Sequence, residues 1–246
     1  MKYYVVILVG LALAASLPAC SKEDSSYSKT GIIYKSGDSD GKNDAAGTNG
    51  RSPLTSQQVA DKLQSMSKDE LFQFALDCAN RGNCSDALTA YNKILETDKN
   101  YPDLYYYQGL LYRDMGMMDE AVCAFQTAIN QNPASAEAHY NLGYAYRCKG
   151  LHRDAIPEYQ KALELLPEGK TKQKAYTHFN LGFSYFSSGM VDDAIGQFKK
   201  ALVYKPKDRE IHQKLGIAYT AKGWTDKAKD EFSLYHEQDK PMKKIP

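Results

Sequence analysis

Residues 107–133 read YQGLLYRDMGMMDEAVCAFQTAINQNP, and residues 141–167 read NLGYAYRCKGLHRDAIPEYQKALELLP. Overlaid at a step of 34, Gly109 falls on Gly143, Tyr112 on Tyr146, Gly116 on Gly150, Ala121 on Ala155, Phe125 on Tyr159 and Pro133 on Pro167. The pattern returns at Gly182 and Gly216, Tyr185 and Tyr219, Gly189 and Gly223, Ala194 and Ala228, and Phe198 and Phe232, again 34 apart. Between the third and fourth units the step is 39, and the extra residues fall at Glu168-Gly169-Lys170-Thr171-Lys172, a polar stretch read as a loop. Stepping back from the second unit finds a first, with Ala75, Cys78, Gly82, Ala87 and Tyr91. A fixed step of this length marks a chain of stacked units, none of which can bury its apolar face alone.

Each recurring residue type has a physical reason. Gly or Ala in the first helix of a unit lets a second helix approach closely, and the ring in that second helix fills the groove opposite. The turn Gly supplies a left-handed backbone after the first helix. Pro133, Pro167 and Pro206 stop the second helices. On these residues the chain resembles the tetratricopeptide-repeat family over residues 68–242. The resemblance implies an all-α fold, a right-handed α-solenoid of five helix hairpins with repeats at 68–101, 102–135, 136–169, 175–208 and 209–242. It departs from the family at the position usually held by Trp, which here is Leu71, Tyr105, His139, His178 and His212. The first unit has Cys78 for the ring and lacks the Pro, and the last has Tyr235 where a small residue is usual. Atypical end units are expected where an outer face meets water. Residues 55–67 carry helix-like spacing at Val59, Leu63 and Met66 and are a candidate capping helix; residues 243–246 are a tail.

Residues 1–19, MKYYVVILVGLALAASLPA, have one positive residue, an apolar run and then small residues, the layout of an export signal. Leu17-Pro18-Ala19-Cys20 resembles the bacterial lipobox, which implies lipidation (palmitate among the acyl chains) at Cys20, and Ser21 is compatible with sorting to an outer membrane. Residues 20–54 are rich in Ser, Gly, Asp and Lys and cannot bury enough apolar area to offset their ordering entropy. They read as a disordered, flexible tether reaching ~30 Å on coil statistics. The expected location is the bacterial envelope, lipid-anchored at the outer membrane and facing the periplasm.

Offset by one residue from the stripe each first helix uses for its own core lies a second stripe. It holds Tyr140, Tyr144 and Arg147 in the third unit, Tyr106 and Arg113 in the second, Phe179, Phe183 and Phe186 in the fourth, and Phe72 in the first. In the family this side lines the concave groove, so the resemblance implies a trough of rings with two cations and two amides, Asn141 and Asn180. Rings give contact area at low entropic cost, Arg gives charged hydrogen bonds, and amides can bond a peptide backbone. These are the candidate partner-binding residues, with Tyr140 and Phe179 expected to be partly buried and Tyr144, Phe183 and Phe186 more exposed. The bland alternative is that the rings only pack against the next repeat.

The chain carries 31 basic and 30 acidic side chains, which offers no strongly basic face for nucleic acid. It contains no Cys-x-x-Cys, His-Glu-x-x-His, Gly-x-Ser-x-Gly or P-loop pattern. No catalytic residue, cofactor, metal or small-molecule substrate is therefore expected. The histidines at one repeat position lie on different helices and read as packing residues, not metal ligands. Cys78 and Cys84 flank the first inter-helix turn and are the candidate disulfide; the other reading is that they, Cys123 and Cys148 are small buried thiols. The expectation is a membrane-tethered adaptor or scaffold that binds a protein or peptide partner, like bacterial tetratricopeptide lipoproteins. An envelope glycan or peptidoglycan receptor using the same rings is the alternative.

Overall fold

The computed structural model describes residues 63–237, and the export segment, Cys20, the tether, most of the candidate cap and the tail lie outside them. The described residues fall into two compact units, 63–131 and 132–237. The first holds α1 (Lys68–Asn80), α2 (Cys84–Thr97), α3 (Leu104–Asp114) and α4 (Met118–Gln131). The second holds α5 (Ala136–Cys148), α6 (His152–Leu165), α7 (Thr171–Ser187), α8 (Val191–Tyr204), α9 (Arg209–Ala221) and α10 (Thr225–Glu237). Among the described residues there is no strand. Each odd-numbered helix pairs with the even-numbered helix after it, and within each unit the hairpins stack in chain order. This is the expected all-α solenoid construction, with two hairpins in one unit and three in the other.

The recurring glycines close each hairpin. A β-carbon built on Gly109 would lie 2.6 Å from Phe125, and on Gly182 and Gly216 it would lie 2.8 Å from Phe198 and Phe232. These first helices thus rest directly on the rings of their partners; Tyr91, Phe125, Tyr159 and Phe198 are the centres of the first four hairpin cores, and Phe232 is partly buried in the last. At the turns, Gly150 takes φ 75°, so the Leu151 N–H can donate back to the Tyr146 carbonyl at 2.9 Å. Trp224 does the same to Tyr219 after Gly223, ending the helix with its last carbonyls satisfied. At the starts, the Ser67 side chain and Glu70 cap α1 reciprocally, and Ser135 and Asp208 cap α5 and α9.

One boundary differs from the sequence reading. Of the polar insertion 168–172, the last two residues begin α7, which starts at Thr171 and runs 17 residues. Lys172, Gln173 and Lys174 are good helix formers, and the Thr177 hydroxyl donates back to the Gln173 carbonyl in the added turn. Of the candidate cap, Leu63 and Gln64 are helical and Leu63 is buried; the remainder up to residue 62 is outside the described residues.

Candidate functional site

In the two-hairpin unit the stripe opens on α1 with Phe72. Its ring lies 5.4 Å from Tyr101 and 5.3 Å, edge on, from Tyr107 of α3. Tyr107 meets Tyr106 at 5.4 Å, and Tyr106 meets Phe125 at 6.2 Å. The result is a ladder of rings, of which Phe72, Tyr101, Tyr106 and Tyr107 are partly exposed. Offset and edge-on pairs at these separations hold the rings rigid while leaving faces for a ligand. Carboxylates rim the ladder. The Tyr101 hydroxyl donates to Asp69 at 2.7 Å, and burial together with that bond pushes its pKa up to about 12. Burial, and then the charge of Asp103, raise Tyr107 as well. At the far end of α3, Arg113 pairs with Asp114 at 2.7 Å.

In the three-hairpin unit the middle of the same stripe is closed. Tyr144, Phe183 and Arg147 are 8%, 6% and 3% exposed. The Arg147 guanidinium carbon stands 5.0 Å from the Tyr144 ring and 5.1 Å from the Phe183 ring, so the cation is held between two π faces. His152 packs on Phe183 at 5.9 Å, and burial and then Arg147 depress its pKa. The Asn180 amide donates to the Tyr140 hydroxyl at 2.9 Å, and the Asn141 amide donates to the Glu137 carbonyl of its own helix at 2.8 Å.

The histidines form a second recurring constellation. His139 Nδ1 lies 2.7 Å from Glu158, and His212 Nδ1 lies 2.6 Å from Glu231. The other ring nitrogens face the carbonyls of Pro133 and Pro206. His178 takes the same place with Gln197 at 2.8 Å and stacks on Tyr204. Each ring joins the two helices of a hairpin, and in the third and fifth units also the Pro before it. Among the described residues no group of His, Cys, Asp or Glu is arranged to hold a metal ion.

Comparison with known proteins identifies these hairpins. Family profiles described as TPR repeat and tetratricopeptide repeat match residues 109–150 and 134–202. A solved structure of MamA is 29% identical, covers 67% of this chain and 94% of its own, and superposes with a TM-score of 0.62. Residues 109–202 are tetratricopeptide repeats. Two further solved structures share the fold of this chain: MamA from Desulfovibrio magneticus RS-1 (22% identity, 71% and 96% covered, TM-score 0.65) and YrrB, titled a TPR protein with an unusual peptide-binding site (24%, 73% and 91%, 0.63). No curated protein sequence matches significantly.

Against the stripe expected to line a tetratricopeptide groove, the structure gives a mixed placement. Phe72, Tyr106, Arg113, Tyr140 and Phe186 are partly exposed, as a ligand-facing wall requires. Tyr144 and Phe183, expected to be more exposed than Tyr140, are instead buried around Arg147, and Phe179, expected to be partly buried, is fully so in the cluster with Phe198. Asn141 and Asn180 are 1% exposed with their amides engaged, so they do not present donors to a peptide. The candidate disulfide is also corrected. Cys78 and Cys84 are not joined by a disulfide: Cys78 is buried on the core side of α1, whereas Cys84 opens α2 beyond the turn. Sequence reasoning left Tyr101 and Tyr107 out of the wall, although the run Tyr105-Tyr106-Tyr107 was there to read.

Proposed function

We propose that this tetratricopeptide-repeat chain is a non-catalytic adaptor that binds a partner protein or peptide, held at the bacterial envelope by a lipid on Cys20. The observation that carries the binding reading is the partly exposed ring ladder of the two-hairpin unit, Tyr101, Phe72, Tyr107 and Tyr106, fixed by its own tilted and edge-on contacts. Preorganised aromatic surface is where protein recognition concentrates its energy. YrrB, which shares the fold, carries a peptide-binding site by its title. The anchoring reading is supported by the lipobox-like Leu17-Pro18-Ala19-Cys20 and the polar stretch after it, which would give the repeats reach from an outer membrane.

Crosslinking in cells followed by identification of the captured protein tests the adaptor reading, with Phe72→Ala/Tyr107→Ala as the control. Capture should fall in the double variant while far-UV circular dichroism stays helical. Undiminished capture would move the site elsewhere, and retention on purified cell-wall glycan in place of protein capture would support the glycan reading. Cys20→Ala should move the protein from the membrane to the soluble fraction; firm attachment of that variant would refute lipidation there.

A further inference from the structure

We propose that the ring ladder of the two-hairpin unit takes an extended basic segment, rich in lysine or arginine, of a partner protein. This rests on the adaptor reading and names the chemistry of its ligand. Residues 63–131 carry ten acidic and five basic side chains, a net −5, whereas residues 132–237 carry thirteen acidic and sixteen basic, a net +3. A chain nearly neutral as a whole is therefore polarised between its units. Of the five cations in the first unit, Lys68 is tied to Asp98 at 2.8 Å and Arg113 to Asp114 at 2.7 Å.

The negative charge is placed at the rings. Asp69 and Asp103 are exposed, one bonded to the Tyr101 hydroxyl and the other one helical turn before Tyr107. Asp103 occupies the N-cap position of α3 with φ 56° yet makes no side-chain cap hydrogen bond, so its carboxylate is not spent on the helix. Ring faces attract ammonium and guanidinium groups, and carboxylates beside them supply the longer-range pull and the hydrogen bonds. The three-hairpin unit has the opposite setting: Arg147 and Lys214 approach Phe183 at 5.1 and 5.7 Å, which disfavours a basic ligand there.

The test is fluorescence anisotropy of the full chain with labelled oligolysine and with labelled oligoglutamate. Oligolysine is expected to bind, more weakly as salt rises, and oligoglutamate is not. Asp69→Asn/Asp103→Asn is expected to weaken oligolysine binding about three- to tenfold. The fold should be untouched, because Asn accepts the left-handed backbone at 103 and still accepts the Tyr101 hydroxyl at 69. Equal binding of both peptides, or no change in the double variant, would overturn the inference. Salt-sensitive dimerisation of the chain without peptide, seen in sedimentation, would place a second copy on the ladder and overturn it too. If a cellular partner is captured through Phe72 and Tyr107 but ignores salt and the Asn variants, the basic-segment inference falls and the adaptor reading stands. If oligolysine does not bind and the chain captures no protein at all, both fall.

Discussion

A β-carbon added at Gly109 meets Cε1 of Phe125 at 2.6 Å, and one added at Gly196, in the middle of α8, meets nothing within 4 Å. The same substitution should therefore act with opposite signs. Gly109→Ala forces the aromatic core of its hairpin apart and is expected to cost about 1–3 kcal/mol. Gly196→Ala removes backbone freedom from the unfolded chain at a site that helix already suits, and is expected to add about 0.5–1 kcal/mol. Urea unfolding followed by circular dichroism reads both. Two midpoints shifted the same way would mean that close helix approach is not what the recurring glycine is for. Both glycines lie inside helices, so only the repeat step distinguishes them in the sequence: Gly109 recurs at Gly143, Gly182 and Gly216, and Gly196 does not recur.

At the scale of elements, the histidine at the usual Trp position joins two helices through a partner 19 residues on: Glu158, Gln197 or Glu231. His178 is the neutral variant of the device. Burial, the largest effect on it, lowers its pKa below the usual histidine value, and Gln197 offsets only part of that. The unfolded chain then binds a proton more readily than the folded one. The stability that neutral His178 contributes is present above the unfolded pKa of about 6.5 and is lost as pH falls below it. His178→Gln should flatten the pH dependence of the urea midpoint between about pH 7 and 5 relative to the parent chain; parallel profiles would show that the ring titrates alike in both states. The hairpins themselves were legible because glycine, ring and proline each leave a mark at a fixed step. The histidine link was also legible, since the spacing of 19 recurs three times, but a step of 34 does not draw the eye to it. The depth of the wall was not legible. An i, i+4, i+7 stripe says which face Tyr144, Arg147 and Phe183 share, not that Arg147 will draw both rings inward into a buried sandwich. Nor could spacing show that Asn180 would spend its amide on Tyr140, forty residues away in sequence.

For the whole molecule, a chain of hairpins that touch only their neighbours need not unfold in one step, because its stability is the sum of hairpin and interface contributions. The weakest sum in the three-hairpin unit belongs to its last member. Among the residues of α10 whose side chains are described, Thr225 to Tyr235, only Ala228 is buried, whereas α8 of the hairpin before it buries Ala194, Ile195, Phe198 and Ala201. Lys229 also stands where the earlier repeats place Val122, Ile156 and Ile195. The chain has one tryptophan, Trp224, and it sits in the turn of this hairpin, just before α10, 41% exposed and packed 5.7 Å from Tyr219. Its emission reports the last hairpin while circular dichroism reports all the helices. The tryptophan transition in urea is expected to precede the helical one. Gly216→Ala, which drives a β-carbon to 2.8 Å from Phe232, should move the tryptophan midpoint further than the helical midpoint. Gly182→Ala, with the same 2.8 Å approach to Phe198 but neighbours on both sides, should move both. Coincident transitions in all three proteins would show that α9 and α10 are locked to the rest as firmly as any internal hairpin.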